Sequence, residues 1–327
     1  MNEIIILTAG DIHVSDINPR SRIDNFKETI IGKIEQLKTA AAKLKADAVL
    51  LTGDLYNIKF PMKNSHDLNR ELIEIFNKFK CPVYAIPGNH DLTADNLDTI
   101  PSQPIGVLYA SGALKNLNQE IINKKGFKVS LVGIPFTKDI KLNKITIPPK
   151  EDCVAQICVL HVYAGPKAGK LYKEQLYGYD ELAALGPDIF VIGHYHTDQG
   201  IQWNGKKCFI NLGSISRGVL AEDKIDHKPK FGFIKVYQEN KDSEVKITVD
   251  SIPLKIKPPE EIFDLKKHSD EKQQSQNIQE YVEHLVSEAS SKTGLATVED
   301  HLKNMKVEKE IMDLVMELIM EARLSRQ

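Results

Sequence analysis

Two aspartates, an asparagine and four histidines, all ligands for hard or borderline cations, fall in five short clusters of a 327-residue chain. The clusters are Asp11-Ile12-His13, Gly53-Asp54, Gly88-Asn89-His90-Asp91, His161 and Gly193-His194-Tyr195-His196. Taken singly, each has a plainer use. Asp11 can cap a turn, Asp54 can cap a helix, and Gly88-Asn89 is ordinary turn composition. A lone His161 closing an apolar run is more often a hydrogen-bonded core histidine than a ligand. Brought to one place, they make a site too polar to bury without balancing charge, and a pair of divalent cations is the simplest balance. Asp54, with two carboxylate oxygens, can bridge two ions. His90 can face a bound phosphate as cation or proton donor, with Asp91 fixing its tautomer.

Most clusters directly follow an apolar, strand-like run: Glu3 to Ala9, Asp47 to Thr52, Pro82 to Ile86, Gln156 to Val162 and Ile189 to Ile192. In an open α/β sheet the carboxyl ends of the strands face one crevice, so residues distant in sequence meet there. Helical spacing fills the intervals, with Ile30, Ile34, Leu37 and Ala41 over Asp24 to Leu44, and Leu68, Leu72, Ile75 and Phe76 over Asp67 to Phe79. A further helical pattern is expected over Lys173 to Leu185, and strands at Val107 to Tyr109 and Val129 to Val132. From Trp203 to Val249 the runs shorten and alternate, which predicts antiparallel pairing. The pattern as a whole predicts an α/β chain of two stacked sheets flanked by helices. Prolines 253, 258 and 259 mark a boundary near residue 255. Residues 256–327 then form a small helical region, with Val307, Ile311, Leu314 and Leu318 on one face of a helix over Val307 to Leu324. That face serves either packing on the parent domain or docking to a partner.

Composition, at 42% hydrophobic and 27% charged residues, is that of an ordinary globular protein. No apolar run reaches the length of a membrane span, and the start lacks the basic region and cleavage site of a signal peptide, so a cytoplasmic protein with no membrane partner is expected. The four cysteines form no CxxC pair and read as buried reduced thiols. Residues 256–327 hold 10 Lys/Arg against 15 Asp/Glu, which leaves 33 against 30 for residues 1–255. The acidic tail is not a nucleic-acid grip, and the slightly basic first part favours an anionic substrate once cations are bound.

The order of the motifs, D-x-H, GD, GNHD, H and GHxH, is far more specific than any one of them. It resembles that of the calcineurin-like metallophosphoesterases over residues 1–255. The resemblance implies a four-layer α/β/β/α sandwich. It also implies one ion on Asp11, His13 and His196, a second on Asn89, His161 and His194, Asp54 as the bridge, and His90, backed by Asp91, acting on the phosphate and leaving group. Mixed nitrogen and oxygen ligands suit Mn(II), Fe or Zn, and two Mn(II) ions are expected.

Within that superfamily the chain is similar to the SbcD-type DNA-repair exonucleases. The likeness rests on Thr8-Ala9-Gly10-Asp11-Ile12-His13, on Gly53-Asp54-Leu55-Tyr56, and on Asn211-Leu212-Gly213-Ser214 with Arg217. It implies DNA as substrate, 3′–5′ exonuclease with some endonuclease activity, homodimerisation, and an SMC-like ABC ATPase as partner. Ser214 and Arg217 could hold a DNA phosphate, or could belong to an ordinary turn. The chain departs from the family at Val14-Ser15, where relatives carry Leu-Gly, and at Asn57, where many carry His; His66 lies nearby in sequence. Two other readings fit the same residues: a small-nucleotide phosphodiesterase or protein phosphatase, and a binding subunit whose site no longer turns over.

Overall fold

A computed structural model describes residues 2–171, 174–218, 220, 225, 227–240, 243–266 and 269. The expected helix over Val307 to Leu324 lies outside them. The unit described here runs from Met1 to Phe263.

In chain order the strands are β1 (Asn2–Ala9), β2 (Ala48–Leu51), β3 (Val83–Ala85), β4 (Lys115–Asn116), β5 (Gln119–Lys124), β6 (Phe127–Ile134), β7 (Ala155–His161) and β8 (Ala164–Gly165). There follow β9 (Gly169–Leu171), β10 (Glu174–Gly178), β11 (Ile189–Gly193), β12 (Gly200–Asn204), β13 (Lys207–Asn211), β14 (Lys230–Gln238) and β15 (Lys246–Pro253). The helices are α1 (Phe26–Leu44), α2 (His66–Phe76), α3 (Pro104–Ala110), α4 (Tyr179–Ala183) and α5 (Pro259–Ile262).

Strand alternation builds the layers. Ile4 and Ile6 of β1, with Ala48 and Leu50 of β2, face Val129, Leu131, Ile157, Val159, Ile189 and Val191 of the second sheet. Their neighbours Leu7, Ala9, Val49 and Leu51 point the other way, onto Ile30, Ile34 and Leu37 of α1 and Leu68 and Leu72 of α2. On the far side, Cys158, Leu160, Phe190 and Ile192 pack with Leu182 of α4. Strands buried on both faces must be apolar at every position, which is why these read as continuous runs. The result is helix, sheet, sheet, helix, as the sequence predicts.

Each sheet has six strands, in the orders β15-β14-β1-β2-β3-β4 and β12-β13-β11-β7-β6-β5. Strands β1 to β4 run parallel, as do β6, β7, β11 and β13. The antiparallel strands expected late in the chain cover edges: β14 and β15 flank β1, and β12 flanks β13. A small sheet, β8-β10-β9, lies beyond the end of β7.

Two expected elements differ. Val107 to Tyr109 lies in α3, not a strand. Pro104 starts the helix, and the chain buries Ile105 and Leu108 while leaving Val107 exposed, a spacing of three rather than two. The helix expected over Lys173 to Leu185 is strand β10 followed by the short α4.

Candidate metal centre and active site

The C-terminal ends of β1, β2, β3, β7 and β11 carry Asp11 and His13, Asp54, Asn89 to Asp91, His161, and His194 to His196 in turn. The loops after β1 and β2 are zipped together by His13 N–H to Asp54 O at 2.9 Å and Val14 N–H to Leu55 O at 2.9 Å. These contacts bring the first two clusters side by side before any side chain is considered.

The ligand atoms converge in two groups that share Asp54. His13, Asp54 and His196 form one, and Asp54, His161 and His194 the other, each with its atoms within 4.8 Å of one another. His13 Nε2 lies 3.0 Å from His196 Nε2, and His161 Nε2 lies 3.1 Å from Asn89 Oδ1. Asp11 accepts the His194 backbone N–H on both carboxylate oxygens at 3.2 Å.

Asp54 divides its oxygens. Oδ1 accepts the His90 amide at 2.8 Å, whereas Oδ2 is buried with no hydrogen-bond partner among the described residues. That second oxygen sits 3.4 Å from His161 Nε2 and 3.7 Å from His13 Nε2. An orphaned carboxylate oxygen ringed by imidazole nitrogens fits a shared cation ligand, since burying it otherwise carries a full desolvation cost. His161 donates Nδ1–H to Thr52 O at 2.7 Å, which fixes the tautomer and aims Nε2 at Asp54.

Protonation follows from burial and mutual charge. Burial, then the neighbouring His196, His90 and His161, hold His13 well below the usual imidazole range, against the pull of Asp54. His194 is lowered to about 3, first by burial and then by His161. Burial opposes ionisation of Asp54, but the charges of His161 beside it and then of His13 hold its carboxyl far below the usual carboxylate range. Burial likewise opposes charging His161, and Asp54 and Asp11 outweigh it, raising it to about 9. Neutral His13 and His194 and ionised Asp54 are the forms that bind a cation.

His90 donates Nδ1–H to the Asn57 carbonyl at 2.8 Å, because a carbonyl oxygen can only accept. Nε2 is thus the ring's exchangeable nitrogen. His90 stands edge-on to His13, with ring centres 4.8 Å apart, and lines one cavity with His13, Asn57 and His196. His66 is exposed in the first turn of α2.

Asp91 does not back His90. Its carboxylate accepts the N–H groups of Leu55 at 3.2 Å, Tyr56 at 3.1 Å and Gly88 at 3.0 Å, tying the loop after β2 to the loop after β3. The Asn57 carbonyl takes the part expected of it. Asp91→Asn should therefore lower stability by about 1.5–3 kcal/mol, because an amide N–H₂ would face backbone donors. Denaturant unfolding checks this. Unchanged stability with only kcat reduced would return Asp91 to a role on His90.

Ser214 and Arg217 make hydrogen bonds within the protein. The Ser214 hydroxyl donates to Asp11 O at 2.7 Å and shares a 2.8 Å contact with Ser216 Oγ. Arg217 is buried and donates to Lys257 O at 3.2 Å and Ile225 O at 2.9 Å. Both are bonded into the wall of the cavity that His90 also lines. Lys33 of α1 supports the same wall, donating to Ile215 O at 2.5 Å and Ser216 O at 3.0 Å. Its place in an amphipathic helix gave no sequence signal for this. Neither did anything mark Glu174, whose Oε2 lies 3.3 Å from His194 Nε2.

Among the described residues no helix is long and apolar enough to cross a membrane, and all four cysteines are free thiols, with Cys81 only half-buried. The chain is 27% identical over 239 residues to the DNA double-strand break repair protein Mre11 of Saccharolobus solfataricus, covering 68% of this chain and 58% of that protein. It is 32% identical over 88 residues to the SbcD component of the SbcCD nuclease of Staphylococcus epidermidis, 26% of this chain and 22% of that one. It thus spans little more than half the length of the first and less of the second. A dimetal phosphatase structure from Danio rerio aligns with TM-score 0.45 and 11% identity over 77% of this chain and 99% of that one. Residues 4–198, which hold all five ligand clusters, match the calcineurin-like phosphoesterase family, and the chain belongs to that family.

Proposed function

We propose that this chain is a two-metal phosphodiesterase that cleaves DNA, the nuclease subunit of an assembly with an SMC-like ABC ATPase. The observation that carries the reading is the pair of three-residue ligand groups sharing Asp54, with His90 in the cavity lined by His13 and His196 of the first group. Asp11, His13 and His196 would hold one ion, Asn89, His161 and His194 the other, and Asp54 would serve both. Bound there, the cations supply Lewis acidity and an activated water for attack on phosphorus. The chain's own part is to fix the geometry and move a proton. The Asn57 carbonyl and the hydrogen bond from the His90 backbone N–H to Asp54 Oδ1 orient His90, which as the imidazolium hands its Nε2 proton to the departing oxygen and is left as the Nδ1–H tautomer. The names of the relatives, a break-repair protein and a nuclease component, favour DNA over a small phosphodiester. Dimerisation and ATPase binding through residues 256–327 belong to the same proposal.

The test is hydrolysis of linear DNA by the full chain with and without Mn(II), alongside bis(p-nitrophenyl) phosphate. Mn(II)-dependent loss of DNA is expected, abolished by chelation and restored by the metal. Cleavage of the small ester but not DNA would make the chain a small-substrate enzyme. Hydrolysis of neither, in a chain that still binds an ATPase partner, would make it a binding subunit.

A further inference from the structure

The small β8-β10-β9 sheet lies outside the two-sheet frame, yet it reaches the metal centre. Strand β8 begins three residues after His161, and β10 pairs with it through Tyr177 opposite Ala164 and Gly178 opposite Gly165. The Tyr177 N–H donates to Tyr163 O at 2.9 Å, and the Tyr177 hydroxyl donates to Ile140 O. This anchoring sets Glu174, the first residue of β10, beside His194, with Oε2 3.3 Å from Nε2. An ionised carboxylate can only accept, so Nε2 carries the proton. In the neutral ring that leaves Nδ1 with the lone pair, and His194 stands in the ligand group with Asp54 and His161.

Packing alone does not choose between the edges of this ring. Tyr163 at 3.9 Å, His161 at 4.8 Å and Phe136 at 5.4 Å between ring centres fix its plane. A half-turn about the Cβ–Cγ bond keeps that plane and almost the same shape, but it puts carbon where each nitrogen was. Only a hydrogen bond separates the two arrangements. His161 has the Thr52 carbonyl for this purpose, and His90 has the Asn57 carbonyl. Among the described residues the hydrogen bond of the His194 ring is to Glu174, not to a backbone carbonyl.

We infer that Glu174 is a positioning residue for the cation site of Asn89, His161 and His194: it accepts the His194 Nε2–H from outside, so that Nδ1 is the atom turned to the ion. The inference rests on the two-metal reading. A carboxylate in this place also makes the imidazole a stronger electron donor. The Glu174 side chain is half exposed, so water weakens that charge effect and orientation is the larger part. The other position, on Asp11, His13 and His196, does not depend on Glu174.

Two measurements at neutral pH on wild type, Glu174→Gln and Glu174→Ala test it: long-range proton–nitrogen NMR correlation of the metal-free full chain, and Mn(II) titration calorimetry. Wild type should show His194 as the Nε2–H tautomer and bind two ions. Glu174→Ala should show a mixture of tautomers, and one binding event should weaken by about tenfold while the other is unchanged. Glu174→Gln keeps an acceptor oxygen, so it should hold the tautomer and lose less affinity. A wild type with the proton on Nδ1 would overturn the inference. So would a Glu174→Ala protein with both affinities unchanged, or with both weakened alike, which is the mark of a merely structural effect. Fewer than two ions in a wild type that keeps the Nε2–H tautomer would overturn the binuclear centre and the metal role given to Glu174, but not the hydrogen bond itself.

Discussion

Gly88→Ala is expected to remove both metal binding and hydrolysis, although it adds a single methyl group. A Cβ at Gly88 would lie 2.1 Å from Asp54 Oδ1, 2.4 Å from Asp54 N and 2.7 Å from Asp54 Cγ. Two of the three atoms are not the end of a flexible chain, so rotating a side chain cannot relieve the clash. Asp54 is also pinned by the His90 amide at 2.8 Å and cannot retreat without losing that bond. The backbone of Gly88, at φ −97°, suits any residue, so the effect is purely steric. Relief requires the loops after β2 and β3 to separate, which breaks the Asp91 bonds to Leu55, Tyr56 and Gly88 as well. Overpacking of this kind costs about 3 kcal/mol or more. Gly32→Ala is the matched control: it sits in α1 with nothing within 4 Å of the added carbon, and should stabilise by up to about 1 kcal/mol. Chemical unfolding and Mn(II) titration of both variants check the pair. A Gly88→Ala protein with full metal occupancy would mean that the two loops are not the rigid frame of the site.

The strands that end in ligands were legible because each is buried on both faces and so is apolar throughout. The break from apolar run to Asp, Asn or His then marks the point where the chain leaves the sheet. What stayed hidden was decided by backbone atoms. The partners of His90 and His161 are the carbonyls of Asn57 and Thr52, which no side-chain type announces. Asp91 looked like a catalytic carboxylate because it adjoins His90, yet its three partners are N–H groups, two of them more than 30 residues away. Ser214 and Arg217 have the right chemistry for a phosphate, but the Ser214 hydroxyl and both terminal nitrogens of Arg217 bond within the protein. Backbone conformation was equally silent. Asp11, His13, Asp54 and His194 adopt φ of 31°, 51°, 48° and 79°, a region that costs non-glycine residues about 1–3 kcal/mol each. Four strained residues at one site, all candidate ligands, are what a geometry held for function rather than stability looks like. The surrounding double-sheet core must supply what those turns lose.

Because that frame does not depend on the His90 ring, His90→Ala should separate proton transfer from metal binding. Alanine keeps the amide that donates to Asp54 Oδ1, so Asp54 stays in place, and no other candidate ligand is touched. Two ions should still bind with affinities like those of the wild type. What disappears is an imidazole held by the Asn57 carbonyl with Nε2 as its exchangeable position. Loss of such a group lowers kcat by about 10²–10⁴-fold where the leaving oxygen needs a proton. DNA releases a poor, strongly basic alkoxide, so its cleavage should fall by that full amount. A p-nitrophenyl ester releases a stabilised phenolate that departs without protonation, so its hydrolysis should fall far less. The ratio of the two losses is therefore the diagnostic, and it is independent of how well the variant folds. Equal losses on both substrates would assign His90 to holding the phosphate rather than protonating the leaving group. Loss of an ion would mean that the ring, and not only the amide, takes part in building the metal centre.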